Sequence, residues 1–396
     1  MPEFLIKRSA APNSSRVPKA RNDGAKRPAV GRLIERGAVC TLVGLASCVL
    51  VAPAYASATP EAHPLAPGSV VVSQGGTIFG TGGSGMGTTV EENGEVDIYQ
   101  GDANGDVAPE ANYTNGMYGP VAMAFDRSGD LWVANFNTGT VVELTRAQLA
   151  MPNPVPNVTI TLPSGAVAVP TGMAFDPWGD LWVVDSGVSQ IVEYTKAQLT
   201  TSGSPTPVAI LSATIPGAPL GDMFDRSGDL WVTVQLSSSC PNGCVVEFSR
   251  AELGVTNPTP TVTITSTGGA NMAFTQSGDM WMVTGGGGAV GTPACFGTPC
   301  TNELVEFTRA QLRKSGAPTP AVIISTTAAN SSGSMFGPYG VAVTNSGDVW
   351  VSNFNKPTTV QYGKYQLFQS GSPVPQRTIG GGNTRMNWPS YVLVEP

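Results

Sequence analysis

Short apolar segments alternate with short polar turns along the chain, and one such unit recurs five times. In the first copy, an apolar strand that ends at Phe125 is followed by Asp-Arg-Ser-Gly-Asp and by a second apolar strand through Trp132. A glycine inside this polar stretch suits the positive φ that a tight turn needs, so the unit predicts a β-hairpin. The copies span residues 125–133, 175–183, 224–232, 274–282 and 343–351.

Two further strands are predicted after each hairpin. The third carries Val-Glu followed by Leu or an aromatic residue, and its alternation suits a strand with one solvated face. Ser or Thr then stands three positions before Gln or Glu, as in Thr145 and Gln148, which is a capping box and predicts one helical turn. A Pro-rich link leads to a β-branched fourth strand, such as 158–161. Four antiparallel strands in each copy describe a propeller blade, with the tryptophans packing between blades.

The two ends of the chain together supply a sixth copy. Residues 69–73 match the tryptophan strand, 96–99 the third strand and 109–114 the fourth, but no first strand precedes them. Residues 388–394 resemble a first strand with nothing after it. Pairing of these ends would leave no open sheet edge. The sequence therefore predicts an all-β fold, a six-bladed β-propeller of four-stranded antiparallel blades closed by N- and C-terminal strands that share one blade.

Composition agrees with this fold class and adds an export segment. The 396 residues include 48 Gly and 33 Pro, and only 12% are charged, which excludes a coiled coil or a helical bundle. Residues 1–58 indicate a signal peptide, with a long basic n-region, an apolar stretch and cleavage after Ala56 or Ala58. Retention of this segment as an anchor and lipidation at Cys48 are the alternatives. A Pro-rich linker at 59–68 and the propeller at 69–396 complete the predicted organisation.

The export segment also determines where the charge lies. Residues 1–56 hold nine Lys or Arg and three acids, so 12 basic and 25 acidic residues remain, a net charge of −13. A surface this negative repels phosphate backbones, which excludes nucleic acid as a partner. We expect a monomer that is secreted or held in the periplasm or cell envelope, without a transmembrane helix in the mature chain.

Four of the six cysteines follow the export segment as two close pairs. An oxidising compartment favours the disulfides Cys240–Cys244 and Cys295–Cys300, each within its own loop. A four-thiolate zinc site built from the same residues is the alternative.

The repeat resembles the NHL-repeat propellers of exported bacterial proteins, most clearly in residues 96–109 and 119–135. The resemblance covers residues 69–396 and implies a propeller rather than one activity. Streptogramin lyases and the gluconolactonase group have similar blades. The lyases depend on a propeller histidine, whereas the only histidine in this chain is His63, before the first strand. The lactonases bind a divalent metal through Glu, Asn and Asp, and no residue set in this chain matches theirs unambiguously.

Candidate binding residues stand three positions after each tryptophan, where strand ends converge near the propeller axis. Two of them begin repeated Asn-Phe-Asn triplets, which end at Asn137 and Asn355. Oxygen ligands of this kind, above all Asn135, Asp185 and Asn353, could hold Ca²⁺ or another divalent ion, or hydrogen-bond a sugar or peptide. The alternative is that they cap their own turns. The full set is Asn135, Asp185, Val234, Thr284 and Asn353, with Ser73 in the split blade.

An acidic ring of third-strand residues has a structural interpretation. Each Glu is followed three residues later by Arg or Lys, so we expect either salt bridges or a solvated strand face rather than catalysis. The hairpin aspartates are expected to form turns. The ring comprises Glu143, Glu193, Glu247 and Glu306, with Asp97 and Gln361 in the other blades.

Three functions fit these features. The first is an exported scaffold that presents a loop-built face to a protein, glycan or small ligand. The second is a metal-dependent lyase or lactonase acting at the central channel. The third is a passive envelope component that self-associates. The absence of histidine from 69–396 excludes a Ser-His-Asp triad there and favours the scaffold.

Overall fold

A computed structural model describes residues 65–75, 94–255, 258–265, 268–284, 302–325 and 335–396. The predicted export segment, Cys48, His63 and the pair Cys295 and Cys300 lie outside these residues. The described part contains 24 β-strands in six four-stranded antiparallel sheets. It also contains short 3-10 helices at Gln148–Ala150, Gly165–Val167, Gln198–Thr200, Gln311–Arg313 and Lys364–Gln366.

Each sheet is one blade of the predicted six-bladed propeller, and its strands are ordered from the innermost outward. Blade 1 contains β24 (Pro389–Val394), β1 (Val70–Gln74), β2 (Glu95–Tyr99) and β3 (Ala111–Tyr113). Blade 2 contains β4 (Pro120–Phe125), β5 (Leu131–Asn135), β6 (Thr140–Leu144) and β7 (Val158–Thr161). Blade 3 contains β8 (Pro170–Phe175), β9 (Leu181–Asp185), β10 (Gln190–Tyr194) and β11 (Ala209–Leu211).

The remaining three blades follow the same order. Blade 4 contains β12 (Pro219–Phe224), β13 (Leu230–Val234), β14 (Cys244–Phe248) and β15 (Val262–Ile264). Blade 5 contains β16 (Met272–Phe274), β17 (Met280–Thr284), β18 (Glu303–Phe307) and β19 (Val322–Ser325). Blade 6 contains β20 (Pro338–Val343), β21 (Val349–Asn353), β22 (Thr358–Tyr362) and β23 (Arg377–Gly380). The first strand of each blade contacts the first strands of both neighbours, so these strands surround the axis.

The predicted closure of the ring is confirmed. Strand β24 pairs antiparallel with β1, with Val394 opposite Val70 and Pro389 opposite Gln74. The pairing continues past the strands, because the Gly68 N–H donates to the Glu395 carbonyl at 2.9 Å. The inner edge of β1 is therefore covered by β24, and the blade reaches the four strands of the others.

The register of the split blade differs by one residue from the sequence alignment. Gln74 lies opposite Pro389, as Asn135 lies opposite Pro120. Gln74, and not Ser73, is therefore equivalent to the residue three positions after the tryptophan. The same shift places Ile98, and not Asp97, at the position of Glu143. Strands β24 and β1 are not joined by a turn, so cross-strand pairing alone sets this register.

The tryptophans pack between blades, as predicted. Three of the five rings meet a phenylalanine at the end of the next blade's inner strand in an edge-to-face contact. The centroid distances are 6.0 Å for Trp132–Phe175, 6.1 Å for Trp182–Phe224 and 5.9 Å for Trp231–Phe274. The recurring contact couples one blade to the next around this part of the ring.

The capping boxes and one disulfide also form. The Thr145 N–H donates to Gln148 Oε1 at 2.9 Å and the Gln148 N–H donates to Thr145 Oγ1 at 3.2 Å, in a turn that is 3-10 rather than α. Cys240 and Cys244 are bonded, with their Cα atoms 5.5 Å apart. In the described segments no helix is long and apolar enough to cross a bilayer.

The two ends of the propeller differ in what they carry. The end that bears the connections from second to third strands and from blade to blade is called the loop face. The opposite end, which bears the turns from first to second strands and the links from third to fourth strands, is called the hairpin-turn face. Among the described residues, loop-face connections from second to third strands range from four residues at 136–139 to nine at 235–243, whereas the hairpin turns such as 126–130 have one length.

Candidate functional site

The residues predicted three positions after the tryptophans lie at the loop-face ends of the second strands. Asn135, Asp185, Asn353 and Thr284 are all buried, the last with 2% exposure. Each belongs to a different blade and makes its hydrogen bonds with nearby segments of the loop face. Their binding role stays a prediction.

The two asparagines hold the chain segments that enter their own blades. Asn135 Oδ1 accepts the Tyr118 N–H at 3.0 Å, and its Nδ2 donates to the Gly116 carbonyl at 2.8 Å. Asn353 Oδ1 accepts the Phe336 N–H at 3.0 Å in the same arrangement. Such contacts match the turn-capping interpretation of both side chains.

The other members of the set behave differently. Asp185 Oδ1 accepts the Val169 N–H at 2.8 Å, while its Oδ2 is buried without a hydrogen-bond partner among the described residues. Thr284 Oγ1 lies 3.4 Å from the Glu303 carbonyl. The third residues of the triplets lie beside glycines, because a Cβ at Gly119 would come within 2.8 Å of Asn137 Nδ2 and one at Gly337 within 2.4 Å of Asn355 Nδ2.

Carboxylates come closest together on the hairpin-turn face. Oxygens of Asp126, Asp130 and Glu143 lie within 4.8 Å of one another, and blade 3 repeats the trio. One of these oxygens already has hydrogen-bond donors, since Asp126 Oδ1 accepts the N–H groups of Ser128 and Asp130. These bonds confirm Asp126 as a turn former. The remaining oxygens are of the kind that Ca²⁺ prefers. The second trio is Asp176, Asp180 and Glu193.

The predicted salt bridges of the acidic ring do not form among the described residues. Arg146 pairs instead with Glu395, at 3.5 Å, and Glu143 accepts a hydrogen bond from Asn157. A solvated face is also wrong for Glu143 and Glu247, which are 7% and 9% exposed, whereas Glu193 and Glu306 are partly exposed. Burial, followed by the charges of Asp180 and Asp176, raises the pKa of Glu193 to about 7.

Two cavities open on the hairpin-turn face. One of about 600 Å³ lies between blades 4 and 5 and is lined by Asp225, Glu247 and Arg313, among others. The other, of about 330 Å³, is lined by the inner strands of blades 4, 5, 6 and 1, including Met223 and Leu393. The larger cavity carries both signs of charge, which makes it the alternative binding site on this face.

A buried carboxyl group marks the split blade. Asp97 occupies the position of Val142 in blade 2 and is fully buried. Its Oδ1 accepts a hydrogen bond from Asn112 Nδ2 at 2.7 Å, and its Oδ2 accepts one from Gln74. Burial raises its pKa to about 7, with a smaller contribution from Glu95. Because its oxygens are paired, this group holds the shared blade together.

A second buried carboxyl group lies on an inner strand. Asp222 stands where blades 2, 3 and 5 have Met123, Met173 and Met272, and it is 2% exposed. It occupies space that glycine leaves in the preceding blade, since a Cβ at Gly172 would come within 2.8 Å of its Oδ1. Neither oxygen accepts a hydrogen bond from another described residue. Burial therefore raises the pKa of Asp222 well above its usual range.

Three aromatic rings form a row on the loop face between blades 6 and 1. Tyr339 and Phe354 have ring centroids 5.9 Å apart, and Phe354 and Trp388 have centroids 5.5 Å apart. Tyr339 and Phe354 are partly buried, whereas Trp388 is 41% exposed. The row therefore ends in an indole that solvent reaches.

Trp388 also has an unusual backbone conformation. It immediately precedes the proline that begins its inner strand, as Gly119 and Gly337 do in blades 2 and 6. The three residues share a left-handed backbone, with φ values of 58°, 67° and 61° respectively. This conformation costs a residue with a side chain roughly 1–2 kcal/mol.

Sequence reasoning missed Trp388 and Asp222 as candidates. Each is visible in the sequence as a departure from the repeat: a tryptophan where blades 2 and 6 have glycine before proline, and an acid where blades 2, 3 and 5 have methionine. A pattern of repeated residues does not identify either one, because a residue that differs from its equivalents has no counterpart in the other blades.

Neither a protein-family model nor a curated protein matches the chain. A protein of unknown function from Bacteroides caccae is similar in structure, with a TM-score of 0.52 and 13% identity over 83% of this chain and 99% of that one. For a streptogramin B lyase the TM-score is 0.44 and the identity 13%, over 67% of this chain and 70% of that one. For a catalytically inactive virginiamycin B lyase from Staphylococcus aureus with quinupristin, the TM-score is 0.42 and the identity 12%, over 67% of this chain and 73% of that one. The similarity to the Bacteroides caccae protein, at 13% identity, concerns the fold alone.

Proposed function

We propose that the protein is an exported, NHL-type binding propeller that contacts its ligand with the loop face. One observation carries this proposal: the connections that differ between blades lie on that face. Among the described residues, the connection 235–243 has nine residues where 136–139 has four, while the five hairpin turns share one length. Binding residues in repeat folds are found on loops that a rigid scaffold positions. Loops that differ between blades at one end therefore identify that end as the candidate binding face.

The chemistry of the described residues supports binding over catalysis. The predicted candidates Asn135 and Asn353 are committed to backbone hydrogen bonds. Exposed apolar side chains are available on the loop face, with Leu236 at 59% and Phe336 at 53% exposure. Such side chains supply contact area to a partner, whereas hydrolysis or elimination needs a positioned acid or base.

The test compares the two faces of the full chain, purified as a bacterial host exports it. A panel of neutral and charged oligosaccharides and of phage-displayed peptides is bound to three proteins. These are the wild type, the loop-face variant Leu236→Ser with Phe336→Ser, and Arg313→Ala in the larger cavity of the hairpin-turn face. We expect at least one probe to bind the wild type and Arg313→Ala alike, and the loop-face variant at least tenfold more weakly.

Other outcomes would contradict the proposal. Loss of binding in Arg313→Ala alone would move the site to the hairpin-turn face, and no binding from the whole panel would remove the scaffold function. Mass spectrometry of the probes after incubation with Ca²⁺, Mn²⁺ or Zn²⁺ addresses the alternative. A cleaved or opened probe would establish a metal-dependent lyase or lactonase.

A further inference from the structure

The row of Tyr339, Phe354 and Trp388 has the properties of a fixed platform. Each ring packs against the next, with interplanar angles of 41° and 52°, so the exposed indole is supported from behind. The Ser390 hydroxyl donates to the Trp388 carbonyl at 3.2 Å, which adds a backbone restraint on the same residue. A platform that is ordered before binding loses little entropy when a ligand arrives.

The backbone of Trp388 points to a use for its side chain. Blades 2 and 6 carry Gly119 and Gly337 at the equivalent position, in the same left-handed conformation. Glycine adopts this conformation without steric cost, and tryptophan does not. A strained residue that keeps a large ring partly exposed is an observation from which a function can be inferred.

Polar residues precede Trp388 in the same connection. Arg385 is 54% exposed and pairs with Glu95 at 3.0 Å, and Asn387 directly precedes the tryptophan. Guanidinium and amide groups offer several donors, and amide and carboxylate oxygens are acceptors. An exposed apolar ring in a connection that also carries such groups complements a ligand that has one apolar face and hydroxyls at its edge.

We propose that Trp388, supported by Phe354 and Tyr339, is the stacking platform for a ring of a neutral glycan. This deepens the proposed function and rests on it. A sugar ring presents C–H groups on its face and hydroxyls on its rim, which matches the indole and the polar residues that precede it. The net charge of −13 outside the export segment works against anionic glycans and nucleotides, and it leaves neutral ligands unaffected.

The experiment uses the full exported chain on an array of neutral and charged oligosaccharides, followed by calorimetry with the strongest neutral binder. Four proteins are compared: wild type, Trp388→Gly, Trp388→Phe, and the control Tyr365→Ala with Phe368→Ala. The control removes a pair of exposed rings, 77% and 73% accessible, from the hairpin-turn face. Calorimetry is repeated at about 50 and 500 mM NaCl, since salt screens charged contacts but not stacking.

We expect Trp388→Gly to bind at least tenfold more weakly while its Tm equals or exceeds that of the wild type. Trp388→Phe should bind within about fivefold of the wild type, the control should bind normally, and salt should change the affinity less than twofold. Should the Tm of Trp388→Gly fall, Trp388→Asn replaces it, because asparagine tolerates a left-handed backbone.

Three results would overturn the inference. These are no neutral glycan on the array, unchanged binding by the Trp388→Gly or Trp388→Asn variant, and binding that weakens strongly with salt, which would indicate a cationic ligand. The proposed function fails separately. It survives any of these results if the variant Leu236→Ser with Phe336→Ser still loses a bound probe, and it falls if that variant binds every probe like the wild type.

Discussion

The loop face and the hairpin-turn face meet the same folding requirement with different residues. On the hairpin-turn face every left-handed position of the five hairpins is glycine, from Gly129 to Gly347. On the loop face, left-handed positions are also occupied by Ser189, Arg385 and Trp388. In the five hairpins the residue is always the one that the backbone conformation favours, whereas these loop-face positions, and Asn153 in a link of the hairpin-turn face, depart from it. The constancy of the hairpins is what their role in folding requires, and the variation of the loop face agrees with the binding role proposed for it.

A physical reason underlies this division. Each hairpin turn connects the inner strand to the tryptophan strand, so its geometry fixes the register of the blade's core. The inter-blade contact of Trp182 with Phe224 depends on that register. A loop-face connection such as 136–139 or 235–243 only has to reach the next strand, so its length and sequence can vary at small cost.

The largest expected effect comes from changing a hairpin glycine. Gly228 has φ of +83°, and a Cβ there would lie 3.3 Å from Pro177 of the neighbouring blade. We expect Gly228→Val to lower the free energy of unfolding by about 2 kcal/mol or more, because a β-branched residue is strained in this conformation. Urea denaturation measures the change.

Gly254→Val is the matched control, since a Cβ at Gly254 meets nothing within 4 Å and its φ is not left-handed. Its effect should stay within about 0.5 kcal/mol. Equal losses from both variants would show that the hairpin-turn face has no special role in stability.

A smaller effect is expected from the carboxyl groups of the hairpin-turn face. The pKa of Glu193 is raised from 4.5 to about 7 in the folded protein, so between these values the folded state binds a proton that the unfolded state has lost. Its contribution to stability is complete below about pH 4.5 and is lost as the pH rises through 7. The free energy of unfolding should therefore fall between pH 5 and pH 8.

Glu193→Gln removes this titrating group and should reduce the fall in the free energy of unfolding between pH 5 and pH 8. The reduction should be at most about 1 kcal/mol, because the side chain is only half-buried. Denaturation curves at pH 5, 6.5 and 8 test this, with exposed Asp102→Asn as the control. A variant with the wild-type slope would contradict the assignment of this pH dependence to Glu193.

The smallest effect on stability belongs to the loop face. Leu236→Ser exchanges a 59% exposed side chain and should change the free energy of unfolding by less than about 0.5 kcal/mol. A loss above 1 kcal/mol in urea denaturation would mean that the loop face also carries stability, and the division between the faces would have to be redrawn.

Much of the fold followed from local pattern. The stretch from Phe125 to Trp132 encodes its own hairpin, because the turn chemistry and the strand alternation lie within a few residues of each other. Closure was also predictable, since the unmatched strands at the two ends complete one blade. Less of the candidate site could be predicted from the sequence. Asn135 and Asp185 were placed correctly at strand ends, but their hydrogen-bond partners lie on segments that the local pattern does not identify.

The amino-acid sequence by itself determined the number of blades, their strand order and the sharing of one blade by both ends, because each depends on a repeated local signal. Only the tertiary structure decided the register at Gln74 and Asp97, where pairing between distant strands replaces a turn. It also decided the isolation of Asp222 and the left-handed backbone of Trp388. These features arise where neighbouring blades meet, and contacts between segments far apart in the chain have no local signature.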